Sequence, residues 1–165
     1  MDDGAAPKIA KAEMVAVIAD RLARETPDFF AVKGPGAGDR ANRSFMQQLR
    51  ELARGSFGAD YAERQLCTGT KFAVAFYFPD EATAVELAFG MHNPISEYER
   101  DLFKCFLAID AGYAIRKLLF ITKPNGYRKL QEPAPRAIAA WAKKHVGLEI
   151  DILELRPSQD SDGAR

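Results

Sequence analysis

Histidine, cysteine and tryptophan are scarce: the 165 residues hold two histidines, two cysteines and one tryptophan. His92 and His145 are too few for a zinc cluster or a Ser-His-Asp arrangement, and His145 falls in a last helical turn beside Lys143 and Lys144, where it reads as a helix-end residue. Cys67 and Cys105 form no CxxC pair and follow no secretory leader, so both read as reduced, buried thiols in a cytoplasmic protein. No apolar run approaches the roughly 20 residues that span a bilayer, so no membrane partner is expected. Net charge is missing as well. Basic and acidic residues number 23 each, so no overall field draws the chain to a polyanion, and any nucleic-acid site has to be a local patch. The glycine-rich stretch Lys33-Gly34-Pro35-Gly36-Ala37-Gly38 lacks the Gly-Lys-Ser/Thr of a phosphate loop and reads as a connection.

What is present is enough apolar material for one domain. At 47% hydrophobic, a chain of this length buries roughly 70% of the surface that its unfolded form exposes. One domain over residues 1–165 is expected, with helices over 7–58, a sheet-bearing core over 60–155 and flexible ends at 1–6 and 156–165. Met14, Val15, Ile18 and Leu22 recur at helical spacing until Thr26-Pro27 stops the pattern. A second helix is expected over about 40–54 with Asp39 as N-cap, burying Phe45, Met46, Leu49, Leu52 and Ala53. At about 100° per residue, Arg43, Gln47, Arg50 and Arg54 then line up beside its apolar face.

Three strand-type runs follow, a weaker one at Tyr61–Cys67 and clear ones at Phe72–Phe78 and Ala82–Phe89, with residues 79–83 turning the chain between the last two. Ser96 and Glu99 have capping-box spacing ahead of a helix marked by Tyr98, Leu102, Cys105, Phe106 and Ile109 and ending near Gly112. Arg116–Thr122 is short and solidly apolar, which suits a central parallel strand. A turn at Pro124–Tyr127, a helix over 134–146 closed by Gly147, and a strand over 148–155 complete an order α-α-β-β-β-α-β-α-β, a mixed α/β fold with helices flanking a central mixed sheet.

The chemistry rests on carboxylates. Glu86 interrupts Ala84, Val85, Leu87, Ala88 and Phe89 in a strand that looks buried on both faces, where a carboxylate is costly unless paired or bound to metal. Magnesium needs only two or more converging oxygens and accepts water elsewhere, and Asp80, six residues earlier, is the second candidate. The alternatives are a solvated or salt-bridged Glu86 and a Pro79-Asp80 pair that simply makes a turn.

In this order of elements, "FPDEATAVELAFG", the helix "EYERDLFKCFLAIDAG" and the strand "KLLFIT" resemble the PD-(D/E)xK nuclease superfamily, the restriction endonuclease-like fold with its αβββαβ core, and most of all type II restriction enzymes of the Bgl kind. The resemblance spans about residues 60–155 and rests on a short motif. It implies Mg2+ held by an acid on the second strand and by Glu86, with a lysine or glutamine two positions later orienting water. That position holds Ala88, and the second-strand acid falls near Ala75, Phe76 or Tyr77, so the motif is degenerate. Some members of the superfamily place the lysine on the following helix, which makes Lys104 the candidate here.

Three readings remain open. The first is a catalytically degenerate nuclease-like domain that binds nucleic acid, with phosphate contacts from Arg43, Arg50 and Arg54 and from a cluster of Arg116, Lys117, Lys123, Arg128 and Lys129 around Tyr127. The second is an active Mg2+-dependent DNA endonuclease using Asp80, Glu86, Lys104 and Glu13. The third is an interaction or assembly module with no nucleic-acid role, which the apolar "FAVAFYF" run permits. By analogy with the fold, a homodimer is a further expectation.

Overall fold

A computed structural model describes residues 9–31, 37–89 and 94–156. The first four residues of the glycine-rich stretch, His92 and the two expected flexible ends, apart from Arg156, lie outside them. The chain begins with α1 (Lys11–Glu25), whose Ala12, Val15, Ile18, Ala19, Leu22 and Ala23 form one buried stripe. Pro27 cannot extend the helix, and the Thr26 hydroxyl donates to the Leu22 carbonyl at 2.6 Å, closing its last turn. Its N-terminus is closed from far away in sequence. The Glu81 carboxylate accepts the backbone N–H of Lys11 at 2.6 Å and of Ala12 at 3.2 Å, satisfying donors that the helix itself leaves open.

α2 (Ala37–Phe57) starts earlier and ends later than its periodicity suggests, so Asp39 lies inside the helix rather than at its cap. Phe45, Leu49 and Ala53 face inward, while Leu52 is exposed because it falls outside that stripe. The strands follow as β1 (Ala62–Gln65), β2 (Ala73–Phe78) and β3 (Thr83–Ala88), with a single 3-10 turn, Pro79–Glu81, at the hairpin tip. α3 (Pro94–Asp110) leads into β4 (Lys117–Thr122). Because α3 opens at Pro94, Ser96 sits in its first turn and is not the N-cap; proline's fixed φ and missing N–H suit the first helical position.

The chain ends with a short α4 (Gly126–Leu130) where a plain turn is expected from sequence, then α5 (Pro133–Val146) and β5 (Glu149–Glu154). Gly126 is obligatory at the start of α4: a Cβ there would lie 2.5 Å from the Thr122 side chain.

The five strands make one mixed sheet in the order β1-β2-β3-β4-β5. β1, β2 and β3 are antiparallel neighbours, whereas β3, β4 and β5 run parallel and are joined through helices. Each face carries its own core. Phe76, Phe78, Val85 and Ile121 pack under α1 and α2; Ala84, Ala88, Leu118 and Phe120 pack under α3 and α5. Cys67 and Cys105 are both free and buried. Among the described residues no helix is long and apolar enough to cross a membrane.

Candidate functional site

Glu86 is buried, and it lies between Ala84 and Ala88 in β3, on the face that α3 covers. The β2–β3 ladder runs from Phe78↔Thr83 to Phe76↔Val85. One step further, the Ala75 N–H donates to Glu86 Oε2 at 3.2 Å, so a side chain takes the place of the next backbone partner. The carboxylate therefore sits where the hairpin opens.

α3 projects Lys104 into this opening. Its Nζ stands 2.7 Å from Glu86 Oε1 and 2.9 Å from Asp101 Oδ1, and it donates to the Ala73 carbonyl at 2.9 Å. Asp101 precedes Lys104 by three residues, close to one helical turn, and so shares its side of α3; its side chain is only 2% exposed. At Glu86 Oε1 the contact is a buried ion pair, with the oxygen 2.7 Å from the ammonium.

Two buried carboxylates share one buried ammonium; the second cation, Arg100, reaches Asp101 Oδ1 at 3.5 Å from a largely exposed position and so is screened by solvent. Burial first, and the Asp101 carboxylate second, push the Glu86 carboxyl up to about 7, against the pull of Lys104 and the Ala75 N–H. Burial alone would lower Lys104, but Glu86 and Asp101 together hold it above the usual lysine range. Next along α3, burial drives the Cys105 thiol far up, so it is no nucleophile.

This has a measurable consequence. Between an ordinary carboxylate pKa of 4.5 and about 7, the folded protein keeps the Glu86 proton and the unfolded chain does not. Stability therefore falls as pH rises through that window and is flat above it, with a contribution on the order of 3 kcal/mol. Glu86→Gln, neutral at every pH, is expected to flatten the window; urea unfolding of both proteins at acidic and alkaline pH measures the difference. Equal slopes in the two proteins would count against a protonated Glu86.

The other acids expected at the centre lie elsewhere. Asp80 is at the hairpin tip, where its exposed carboxylate pairs with the Lys11 ammonium beside the Glu81 cap of α1. Glu86 is three residues into β3, roughly 10 Å further along at about 3.3 Å per residue. Glu13 projects from α1 near Glu81, Thr83 and Lys117, across the sheet from Lys104. The structure thus joins Glu86 to Lys104 and to Asp101, and leaves Asp80 and Glu13 apart.

These residues do not fit a divalent ion as they stand. Mg2+ asks for oxygens at about 2.0–2.1 Å in an octahedron, whereas the Glu86 and Asp101 oxygens already face an ammonium at ion-pair distances. Among the described residues no group of three histidine, cysteine, aspartate or glutamate side chains could hold a metal. Ala88, where the resemblance calls for a lysine or glutamine, offers only a methyl group.

The basic residues fall into separate surfaces. Arg43, Arg50 and Arg54 are on α2 near the β1 edge, where Arg50 pairs with Glu63 at 2.6 Å. Arg116 and Lys117 stand at the amino end of β4, away from Lys123, and Lys117 pairs with Asp151 at 2.6 Å. Lys123, Arg128 and Lys129 do gather around α4, at the carboxyl ends of β4 and β5.

There the structure adds partners that sequence reasoning missed. An open cavity of about 850 Å³ between α1, α4 and β5 is lined by Arg21, Arg24, Arg128 and Arg156, with Tyr127 at its side and Val17 and Ile152 contributing apolar wall. Asp20 pairs with Arg24 at 2.7 Å, and Glu154 accepts the Tyr127 N–H at 3.1 Å. Among the described residues neither Arg128 nor Arg156 is paired with a carboxylate. A second cavity of about 260 Å³, sharing Asn125 with the first, holds Lys123 and Lys129 beside Ala88 and Thr122. Arg21 and Arg24 fall on the exposed side of α1, and only packing against β5 makes that side a cavity wall.

No family model, curated protein or solved structure matches this chain.

Proposed function

We propose that this chain is a restriction endonuclease-like domain, catalytically degenerate, that binds nucleic acid along the carboxyl ends of β4 and β5. The observation that carries the reading is the cleft of Arg21, Arg24, Arg128 and Arg156 beside a half-exposed Tyr127. In a neutral chain this is the kind of local patch that a polyanion requires. Guanidinium groups pair with phosphate oxygens two bonds at a time, and an exposed aromatic ring offers a stacking surface for a base. In sheets with parallel strands, ligands gather at the strands' carboxyl ends, which is where this cleft lies.

The degenerate part of the reading is supported by the antiparallel β1-β2-β3 unit that presents Glu86, the helix that presents Lys104 and the parallel strand β4 that follows. In place of a lysine or glutamine at position 88 there is alanine, and in place of an acid opposite Glu86 there is Ala75. An active Mg2+-dependent endonuclease and an assembly module are the competing outcomes of the test below.

Fluorescence anisotropy with labelled single-stranded and duplex oligonucleotides is expected to show binding that weakens steeply with salt. Arg128→Glu and Arg21→Glu should each weaken it on every sequence, and neutralising one phosphate contact should reduce the salt slope by about 1. Supercoiled plasmid incubated with Mg2+ or Mn2+ should stay intact. Nicking that disappears in Glu86→Ala would replace this reading with the active endonuclease. No retention of either oligonucleotide at low salt, together with self-association, would replace it with the assembly module.

A further inference from the structure

We infer that the ammonium of Lys104 is a built-in counter-ion that takes the place of a divalent cation, so that Glu86, Asp101 and the Ala73 carbonyl form a cation cage closed by the protein itself. Three oxygens from β2, β3 and α3 converge on one nitrogen at 2.7, 2.9 and 2.9 Å. An ammonium carries three protons and no acceptor, so its capacity matches three oxygens, and these distances are those of charge-assisted contacts, too long for Mg2+ or Ca2+.

The geometry is that of ligands around a charge. Glu86 Oε1 is buried and lies 2.7 Å from the ammonium, facing the charge as a metal ligand faces its ion. The cage also binds the elements together: Ala73 and Ala75 on β2, Glu86 on β3 and α3 all end on the same two side chains. A divalent ion beside Lys104 would have to share both carboxylates with a positive charge a few ångströms away, which opposes its entry. Removing that charge leaves two carboxylates and a carbonyl facing one vacated position, with the exposed Arg100 guanidinium, 3.5 Å from Asp101 Oδ1, as the remaining cation beside them. The Lys104 side chain is 12% exposed, so the position has a route from solvent. This inference concerns the cage alone and stands apart from whether the arginine cleft binds nucleic acid.

The test compares Mn2+ binding, by calorimetry and by the electron paramagnetic resonance of free Mn2+, between the wild type, Lys104→Ala and Lys104→Ala/Asp101→Asn. The wild type is expected to take up no Mn2+ that depends on Glu86, and its Tm should be the same in EDTA and in millimolar Mn2+. Lys104→Ala is expected to bind one equivalent, with a Tm that climbs with the logarithm of Mn2+ concentration, and the double variant should lose that response. Folded Lys104→Ala that binds no Mn2+ overturns the inference. So does a wild type whose Tm rises with Mn2+ and ceases to rise in Glu86→Gln. Should Lys104→Ala fold only in the presence of Mn2+, the dependence itself supports the cage, and if it folds in neither condition the wild-type comparison decides alone.

Discussion

Replacing Lys104 by methionine is expected to cost about 3–5 kcal/mol of stability near pH 8, the range for removing one partner of a buried ion pair. Methionine keeps the length and much of the apolar contact of the stem, so the loss reports the charge. Glu86 and Asp101 would then face each other, both nine-tenths or more buried, with the Ala75 N–H as the remaining donor to Glu86. Two like charges in that position cannot both stay ionised cheaply, and the pair would bind a proton more tightly than the wild type does.

The sign of the pH dependence follows. A raised carboxyl pKa stabilises the fold below it, so the Lys104→Met deficit should be largest at alkaline pH and shrink on acidification. Adding Glu86→Gln to Lys104→Met should return part of the loss at pH 8, because the amide removes one of the two negative charges while keeping an acceptor and the shape. Guanidinium unfolding at two pH values reads all of this. A Lys104→Met loss below about 1 kcal/mol at pH 8 is the size measured for exposed pairs, and it would mean that the centre is solvated rather than buried.

How much of this centre was legible in the sequence differs residue by residue. Glu86 could be read directly, because an acid inside an alternation-free apolar strand has to be explained by a partner. Lys104 could be named only through a resemblance, and Asp101 was missed although its signal was present. Tyr98, Leu102 and Cys105 mark the buried side of α3, and Asp101 lies between them on the same stripe with Lys104 one turn on. A charged residue on an apolar helix face, paired at i+3 with an opposite charge, deserves the same question as Glu86. Asp80 misled because a Pro-Asp pair suggests a motif, whereas its neighbour Glu81 is what the fold uses, as a cap for a helix 70 residues away. No local pattern announces such a partner; it exists only once the hairpin packs on α1. The arginine cleft is likewise a tertiary feature, since α1 and α4 bring together side chains more than a hundred residues apart. The succession of helices and strands along the chain, α4 apart, and a mixed sheet flanked by helices, by contrast, follow from periodicities that the chain displays openly.

Phe120→Ala is the second large effect, and it separates burial from charge as the cause of the raised Glu86 carboxyl. Phe120 is fully buried in β4, directly opposite Glu86 in the β3–β4 register, and its ring meets Tyr98 of α3 edge-on at 5.3 Å. Truncating a buried phenylalanine costs about 3–5 kcal/mol through lost transfer energy and the cavity left behind. This cavity would adjoin the Glu86 carboxyl, so it is polar enough on one side to take water. Water there solvates the ionised form, and the Glu86 carboxyl should move down from about 7 toward the ordinary carboxylate range, shrinking the fall of stability between acidic and neutral pH. Phe78→Ala is the control: Phe78 is equally buried but packs on the opposite face, under α1 and α2. Its loss of stability should be similar and its pH slope unchanged. The carbon-13 shift of the Glu86 carboxyl, followed through a pH titration of each variant, gives the same answer at the site itself. A Phe120→Ala protein that keeps the wild-type titration would assign the shift to Asp101 rather than to burial, and Asp101→Asn would then be the substitution that returns Glu86 to its ordinary range.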